Sequence, residues 1–595
     1  MKSIAELVSI ALLSGLLASC ASEQRTTVNS DRIVTNPIDL NYRFQPNEES
    51  RREAADPVLE YFKGYYYMFA SKSGGYWRSE DLAKWEYIPC TTIPTMEDYA
   101  PTILVYGDTL YFTASSGNTR IYKNAHPEKD TWEEVDTKFE YPQHDPAFFK
   151  DDDGRVYLYW GCSDVEPIMG VEVDPKDGFR AIGEPKALIH HNCDKYGWEV
   201  PGKNNEEPRQ GWNEGPCVLK HNGRYYLQYA APGTQYRIYG DGNYVGDNPL
   251  GPFEYVEDNP FSFKPGGFIG GAGHGHTFKD KYGNYWHVAS MTISVRHWFE
   301  RRLGLFPIVV SDKYGMYALT TFADYPFCIP DRKVDFEKGD INMGWNLLSY
   351  KKKVAASSSL EGYGPELAND EQVETWWAAQ TGNKGEWLQI DLGEPMDVKA
   401  IQVNFADHNF NIHAPHGPVV YQYYIEGSVD GNKWTRLVDE EKNQQDAPHK
   451  LHTLATPAKM QYLKICNSKD MEGSFSLFDL RIFGQGDGKV PVAVTGFQAT
   501  RDENDKRIYR FVWDSQEDVT GYILRWGTQK EKLTHSMVVY DNQYEARYFN
   551  RDSEYYFSII AFNENGVGAG DFYFIKGLSI SDKIVYCSFQ TRIRN

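Results

Sequence analysis

Cysteine is scarce in this chain of 595 residues, with eight in all. Seven of them (Cys90, Cys162, Cys193, Cys217, Cys328, Cys466 and Cys587) are scattered, and no CxxC pair or Cys/His cluster occurs. That spacing supports neither a zinc site nor a disulfide framework. Positive charge is also short, at 62 Lys and Arg against 83 Asp and Glu, a formal charge of −21. A nucleic-acid partner needs clustered Lys and Arg to neutralise its phosphates, so that class is excluded. No long apolar span stands out either, since the run from Leu7 to Ala18 is too short to cross a bilayer as a mature helix. What abounds is aromatic and flexible: 42 Tyr, 31 Phe, 15 Trp and 51 Gly. Aromatic side chains suit pleated strands and stack on the apolar faces of sugar rings, while Gly supplies tight turns. A chain this long is expected to form about three or four domains, at roughly 100–200 residues each.

The N-terminus reads as an address. Lys2 precedes the Leu7–Ala18 run, so residues 1–19 have the form of a signal peptide. The tetrad Leu17-Ala18-Ser19-Cys20 resembles a bacterial lipobox, in which the Cys is lipidated and becomes the mature N-terminus. The resemblance implies an exported lipoprotein, anchored through Cys20 to a cell-envelope membrane and facing either the periplasm or the outside. Contact with the membrane is expected through that anchor alone. The polar residues 20–36 read as a flexible tether.

The most informative feature is a repeat. Five times a short turn precedes a strand, then a Gly turn, then an aromatic strand. The starts are Asp56-Pro57, Ala100-Pro101, Asp145-Pro146, Glu214-Gly215-Pro216 and His274-Gly275-His276. The turns are Gly64, Gly107, Gly154, Gly223 and Gly283. They open Tyr65-Tyr66-Tyr67, Leu110-Tyr111-Phe112, Val156-Tyr157-Leu158, Tyr225-Tyr226-Leu227 and Tyr285-Trp286-His287. Multi-strand repeats of roughly 40–50 residues mark a β-propeller, here with five blades over residues 37–330. The innermost strand of each blade lines the central channel, so equivalent positions converge at one end of it. Three of the five equivalents are carboxylates, Asp56, Asp145 and Glu214, and the others are Ala100 and His274. The three acids are expected to face one another across one pocket.

These residues carry a family resemblance. Ala55-Asp56-Pro57, His144-Asp145-Pro146 followed by Asp151-Asp152-Asp153-Gly154, and Asn213-Glu214-Gly215-Pro216 resemble the three catalytic blocks of glycoside hydrolase family 43. Arg78-Ser79-Glu80-Asp81-Leu82-Ala83-Lys84-Trp85 and Gly271-Ala272-Gly273-His274 resemble two further blocks of that family, the second with Ala where the family has Pro. The closing stretch Glu300-Arg301-Arg302-Leu303-Gly304 fits loosely. The resemblance implies that Asp56 is a general base and Glu214 a general acid, with Asp145 orienting Glu214 and holding its pKa up. Glycoside hydrolysis of the inverting kind needs such a pair, one carboxylic acid to protonate the leaving oxygen and one carboxylate to activate water. His274 is implied as a substrate contact or cation holder, with a hydrogen-bonded core His as the alternative. Trp77 and Trp212 flank the catalytic blocks and are candidates to stack on a sugar. The chemistry requires no cofactor and no catalytic metal. A structural calcium at Asp151–Gly154 is left open, although the spacing is not that of an EF-hand loop and a hairpin turn accounts for it.

Beyond a connector at 331–350, residues 351–486 contain Glu374-Thr375-Trp376-Trp377, Glu386-Trp387-Leu388-Gln389-Ile390-Asp391-Leu392-Gly393 and Gly427-Ser428-Val429-Asp430-Gly431-Asn432-Lys433-Trp434. These resemble the discoidin-like (coagulation factor 5/8 type C) jelly roll, a fold shared with family 32 carbohydrate-binding modules, in which sugar binding and packing are both open. Residues 490–595 resemble a fibronectin type III sandwich, with Trp513 as core Trp and Tyr555 in the place of the tyrosine corner. The expected fold is all-β: a five-bladed β-propeller, a jelly-roll β-sandwich and a second β-sandwich. The partner is a poly- or oligosaccharide glycan, and the chain is expected to be monomeric. Every candidate catalytic residue precedes Pro330, so residues 21–340 are expected to fold without the sandwiches. Phe336, Ile341, Trp345 and Leu347 make the connector too apolar for a solvated tether. Two functions fit. One is an exo-acting inverting hydrolase of terminal arabinofuranosyl, xylosyl or galactosyl residues on plant-type glycans. The other is an anchored glycan-binding propeller without turnover.

Overall fold

The computed structural model describes residues 30–45, 51–410, 418–568 and 575–576. Cys20 and the expected export segment at 1–19 lie outside them. Five antiparallel sheets follow one another along residues 55–318. Blade I is Ala55–Phe62, Tyr65–Ser71, Gly75–Ser79 and Glu86–Pro89. Blade II is Thr102–Tyr106, Thr109–Thr113, Tyr122–Asn124 and Glu133–Glu134. Blade III is Ala147–Lys150, Val156–Trp160, Ile168–Asp174 and Arg180–Ile189. Blade IV is Asn213–His221, Arg224–Ala231, Gly240–Gly246 and Phe253–Tyr255, joined by the short strands Cys162–Ser163 and Ser262–Phe263. Blade V is Gly270–Lys279, Tyr285–Thr292, Arg301–Ser311 and Gly315–Ala318. The first strand of each blade touches those of the blades on both sides, and blade V meets blade I. The ring is a closed five-bladed propeller.

The repeat explains why. The five turn glycines have φ between 62° and 92°, a conformation costly for a residue with a Cβ. The aromatic strands that follow are buried and pack blade against blade. Phe69 of blade I lies 5.4 Å from Phe112 and 5.8 Å from Trp132 of blade II. Tyr66 lies 6.3 Å from Phe278 of blade V. Much of the aromatic excess therefore serves as inter-blade filling.

Residues 30–36 differ from the expected tether. Ile33–Val34 pairs with Phe327–Cys328, and Asn36 is fully buried. The Asn36 amide donates to the carbonyls of Leu305 and Ala323 and accepts from Leu305 N–H, all at 2.8–2.9 Å. The segment latches the start of the propeller to its last blade, because a buried backbone group needs a partner and this side chain supplies three. The connector is likewise built in. Phe336 packs on Trp286 at 4.8 Å, and Asn346–Leu347 joins the jelly-roll sheet beside Ser476–Gln485.

That jelly roll is organised by two bent strands, Trp387–Phe405 and His449–Asn467, around a core that includes Leu388, Ile390, Ile401, Val403, Leu463 and Ile482. The C-terminal module has a three-stranded sheet (Gln498–Arg501, Tyr509–Val512, Gln543–Ala546) facing a second sheet (His535–Val539, Gly521–Gly527, Tyr556–Asn563, Gly566–Val567, with Ile575–Lys576). Trp513 lies in its core, and Tyr555 Oη accepts the Asn550 N–H at 3.1 Å.

Neither module stands apart from the propeller. Phe268 and Phe306 share a core with Trp376, Ala406 and Phe478 of the jelly roll. Tyr196, Trp198, Tyr229 and Phe263 share another with Trp526, Tyr548 and Phe549 of the C-terminal module. A chain ending at residue 340 would bare these faces as contiguous apolar patches, so the expectation of an independent propeller does not fit the packing. Residues 21–340 expressed alone should aggregate or melt well below the full chain, measured by size-exclusion chromatography and thermal unfolding. A soluble monomeric fragment melting with the full chain would refute this.

Candidate active site

Asp56, Ala100, Asp145, Gly215 and His274 lie in or just before the inner strands with φ between 46° and 58°. Four of these are not glycine, so the backbone at the channel rim is strained. It is held by the preceding blade. Ser290 Oγ accepts Asp56 N–H at 2.8 Å, Ser71 Oγ accepts Ala100 N–H at 2.7 Å, and Ser115 Oγ accepts Asp145 N–H at 2.8 Å. Asp241 accepts the N–H groups of His274 and Gly275 at 2.7 and 2.9 Å, and itself meets His287 Nε2 at 2.9 Å. This corrects the repeat register. The backbone equivalent of Asp56 and Asp145 is Gly215, and Glu214 lies one residue before it. A Cβ at Gly215 would fall 2.6 Å from the His274 ring, so glycine is what lets that ring reach the centre.

The three acids and His274 are brought together. His274 Nδ1 is 3.4 Å from Asp56 Oδ1 and 3.7 Å from Asp145 Oδ2. Asp56 accepts Ser71 Oγ–H at 2.6 Å and Arg301 Nη1 at 3.0 and 3.3 Å. Glu214 accepts Tyr239 Oη–H at 2.6 Å and the Cys162 thiol at 3.3 Å. All three carboxyls are buried, at 4, 7 and 9 % exposure, so each must be compensated or protonated.

Their environments drive them apart. Burial pushes Asp56 up, but Arg301, then His274, Ser71 and Ser290, outweigh it and hold its carboxyl below the usual range. Burial, followed by Asp145, pushes Glu214 up to about 7, against the pull of His274 and Tyr239. Asp145 is raised too, by burial and by Asp56, against the pull of His274. For His274 burial disfavours the charge, yet Asp56, Asp145, Glu214 and Asp241 together raise it. Near neutral pH the pocket thus offers an ionised carboxylate and a protonated one, an acid–base pair set by surroundings rather than residue type. Asp145, Cys162 and Glu214 place three donor atoms within 4.8 Å. Burial holds the thiol protonated, with Asp145 and Glu214 adding to the effect, so this set suits proton transfer better than a cation, which needs deprotonated ligands.

Trp77 is a correction: it is 1 % exposed in the blade I core, and its Nε1 donates to Asn41 Oδ1 at 2.7 Å. It faces no sugar. Trp212 is 38 % exposed, beside Asn213 and Glu214. Asp151 sits in a hairpin turn, its carboxylate bonded to Tyr225 Oη–H at 2.6 Å and to Lys220. Sequence reasoning missed Arg301, Tyr239, Asp241 and the clamping hydroxyls. The clamps had a signal, since Ser71, Ser115, Cys162 and Ser290 follow the turn glycines at seven or eight residues. Arg301 stood in the loosely fitting stretch 300–304, but its pairing with Asp56, 245 positions away, had no signal. Also missed is Trp298, 61 % exposed and stacked on Phe299 at 5.6 Å, with Phe299 packed on Arg301 at 4.9 Å.

The family model "Glycosyl hydrolases family 43" matches residues 50–312, and "F5/8 type C domain" matches residues 353–478. The propeller therefore carries a family 43 domain and the jelly roll an F5/8 type C domain. A protein of Xylanibacter ruminicola named Beta-xylosidase is 31% identical over 134 residues, 19% of this chain and 39% of that one. One of Paenibacillus polymyxa named Arabinoxylan arabinofuranohydrolase is 33% identical over 151 residues, 24% of this chain and 22% of that one. The chain spans well under half the length of either relative. A solved structure named "Glycoside hydrolase" aligns at 19% identity and a TM-score of 0.43, covering 72% of this chain and 97% of its own.

Cys162 occupies a place where other blades carry Ser, and a thiol is the weaker donor. Cys162→Ser should hydrogen-bond the Glu214 carboxylate better and favour its charged form, lowering its titration midpoint by about one unit. Difference infrared spectroscopy of the carboxyl stretch across pH would follow this. An unmoved or raised midpoint would refute it.

Proposed function

We propose, taking the family 43 glycosyl hydrolase domain as premise, that this protein is an exo-acting, inverting glycosidase. Asp56 is the general base that activates water, Glu214 the general acid that protonates the leaving oxygen, and Asp145 the positioning residue that keeps Glu214 protonated. The observation that carries this reading is the opposite displacement of two buried carboxyls in one pocket, Asp56 down beside Arg301 and Glu214 up to about 7. A glycan-binding propeller without turnover has no use for that difference. The burial of all three carboxyls supports attack on a terminal residue rather than mid-chain. Arabinofuranosyl and xylosyl residues come first as substrates, from the names of the two relatives, with galactosyl third. Trp212 and Trp298 offer exposed rings for sugar stacking.

As a general acid, Glu214 contributes about 10²–10⁴ in turnover. Glu214→Gln should lose that factor on unactivated glycosides and far less on aryl glycosides with good leaving groups. The wild-type rate should fall above about pH 7, where Glu214 loses its proton, and the variant should lack that limb. Proton NMR of the first product should show the inverted anomer. Equal losses on both substrate classes, or a retained anomer, would sink the assignment.

Two further proposals concern the two ends of the chain. Leu17-Ala18-Ser19-Cys20 supports export and lipid anchoring. Cys20→Ala should move the protein from the membrane to the soluble fraction or leave it unprocessed, and unchanged fractionation would remove the anchor. The strand arrangement of the C-terminal sandwich and its Tyr555–Asn550 corner support a fibronectin type III module.

A further inference from the structure

We propose that the jelly roll is part of the active-site scaffold, its Asp407 and Asp446 acting as positioning residues for Asp56 through Arg52, Glu53 and Arg301; this rests on Asp56 as the catalytic base. The argument begins with strand alternation. Neighbouring residues of a strand face opposite ways, so Arg301 and Arg302 of blade V serve different masters. Arg301 reaches Asp56 at 3.0 Å and Glu53 at 2.7 Å. Arg302 turns to the jelly roll, where its Nε donates to His449 Nε2 at 2.8 Å. Burial and the two arginines Arg302 and Arg52 hold His449 neutral, leaving that nitrogen an acceptor.

The segment before blade I divides its residues in the same way. Glu53 faces Arg301, and its other oxygen pairs with Arg51 at 2.8 Å. Arg52 points into the jelly roll, held by Asp407 at 2.8 and 3.3 Å and by Asp446 at 2.7 Å. Arg302 Nη1 also donates to the Arg52 carbonyl at 2.9 Å, tying the two segments together. Arg52, Glu53 and Arg302 are completely buried, and a buried charge that loses its partner is strongly destabilised. Removing the jelly-roll acids therefore releases the backbone of residues 52–53. Glu53 carries Arg301 with it, and Asp56 loses its nearest cation.

The sign follows from what surrounds Asp56. The charged groups facing it are Arg301 and His274, which favour its ionised form, and Asp145 and Glu214, which oppose it. Displacing Arg301 raises Asp56. A base must be ionised, so the acidic limb of the kcat/KM profile moves to higher pH.

The test uses the full chain and a small aryl glycoside. Asp407→Asn should shift the acidic limb upward and lower kcat about ten- to a hundredfold, as for a misplaced catalytic group, with KM nearly unchanged. In an Arg301→Lys background the same substitution should add no further shift of the limb, because the link is already cut. Asp446→Asn should give a smaller shift of the same sign, and stands in if Asp407→Asn does not fold. A merely structural role would lower the melting temperature without moving the limb. A folded variant with the wild-type limb, or a shift that persists undiminished beside Arg301→Lys, overturns the proposal while leaving the function intact. A wild-type chain that cleaves no glycoside removes the functional reading, and this proposal with it.

Discussion

Three buried carboxyls share one channel end, and the rest of the molecule can be understood as the means of keeping them there. Like charges that close cannot all ionise in a buried site. The structure resolves the conflict by giving Asp56 the Arg301 guanidinium and leaving Asp145 and Glu214 raised. His274, charged by the same acids that surround it, sits between Asp56 and Asp145. That asymmetry gives three similar side chains different protonation behaviour, on which the proposed roles of base, acid and orienting group rest.

Holding such a site requires a rigid rim. The channel rim takes a left-handed conformation at four non-glycine residues, and each of these is pinned from the blade before it by a Ser hydroxyl or by Asp241. The pinning groups double as tuning groups. Ser71 and Ser290 donate to Asp56 and help keep it ionised, whereas the weak thiol of Cys162 leaves Glu214 free to stay protonated. Equivalent places in the ring thus carry hydroxyls beside Asp56 and a thiol beside Glu214.

The sandwiches belong to the same economy of rigidity. Their aromatic faces fill cores that the propeller leaves open, and the jelly roll clamps Arg52 and Arg302, the residues adjacent to Glu53 and Arg301. A module that looks like an accessory by its motifs is packed as a wall of the propeller.

The sequence by itself determined the class of fold and most of the side chains gathered at the channel end. Turn glycines and aromatic strands are local signals with a fixed period, so five blades, and with them the convergence of Asp56, Asp145, Glu214 and His274, were legible in the residue pattern alone. The φ angles set Gly215 rather than Glu214 against Asp56, a register that the residue before each Pro (Asp56, Ala100, Asp145, Gly215) already carried. Only the tertiary structure took Trp77 out of the site, since burial is not written in a dipeptide. The tether at 30–36 became a latch because Asn36 finds its three partners among residues 305–323, a pairing that chain proximity cannot reveal. The same holds for Arg301 and Arg52. Their meaning lies in acids 245 and 355 positions away, and an ion pair closed over that distance leaves no trace in spacing or composition.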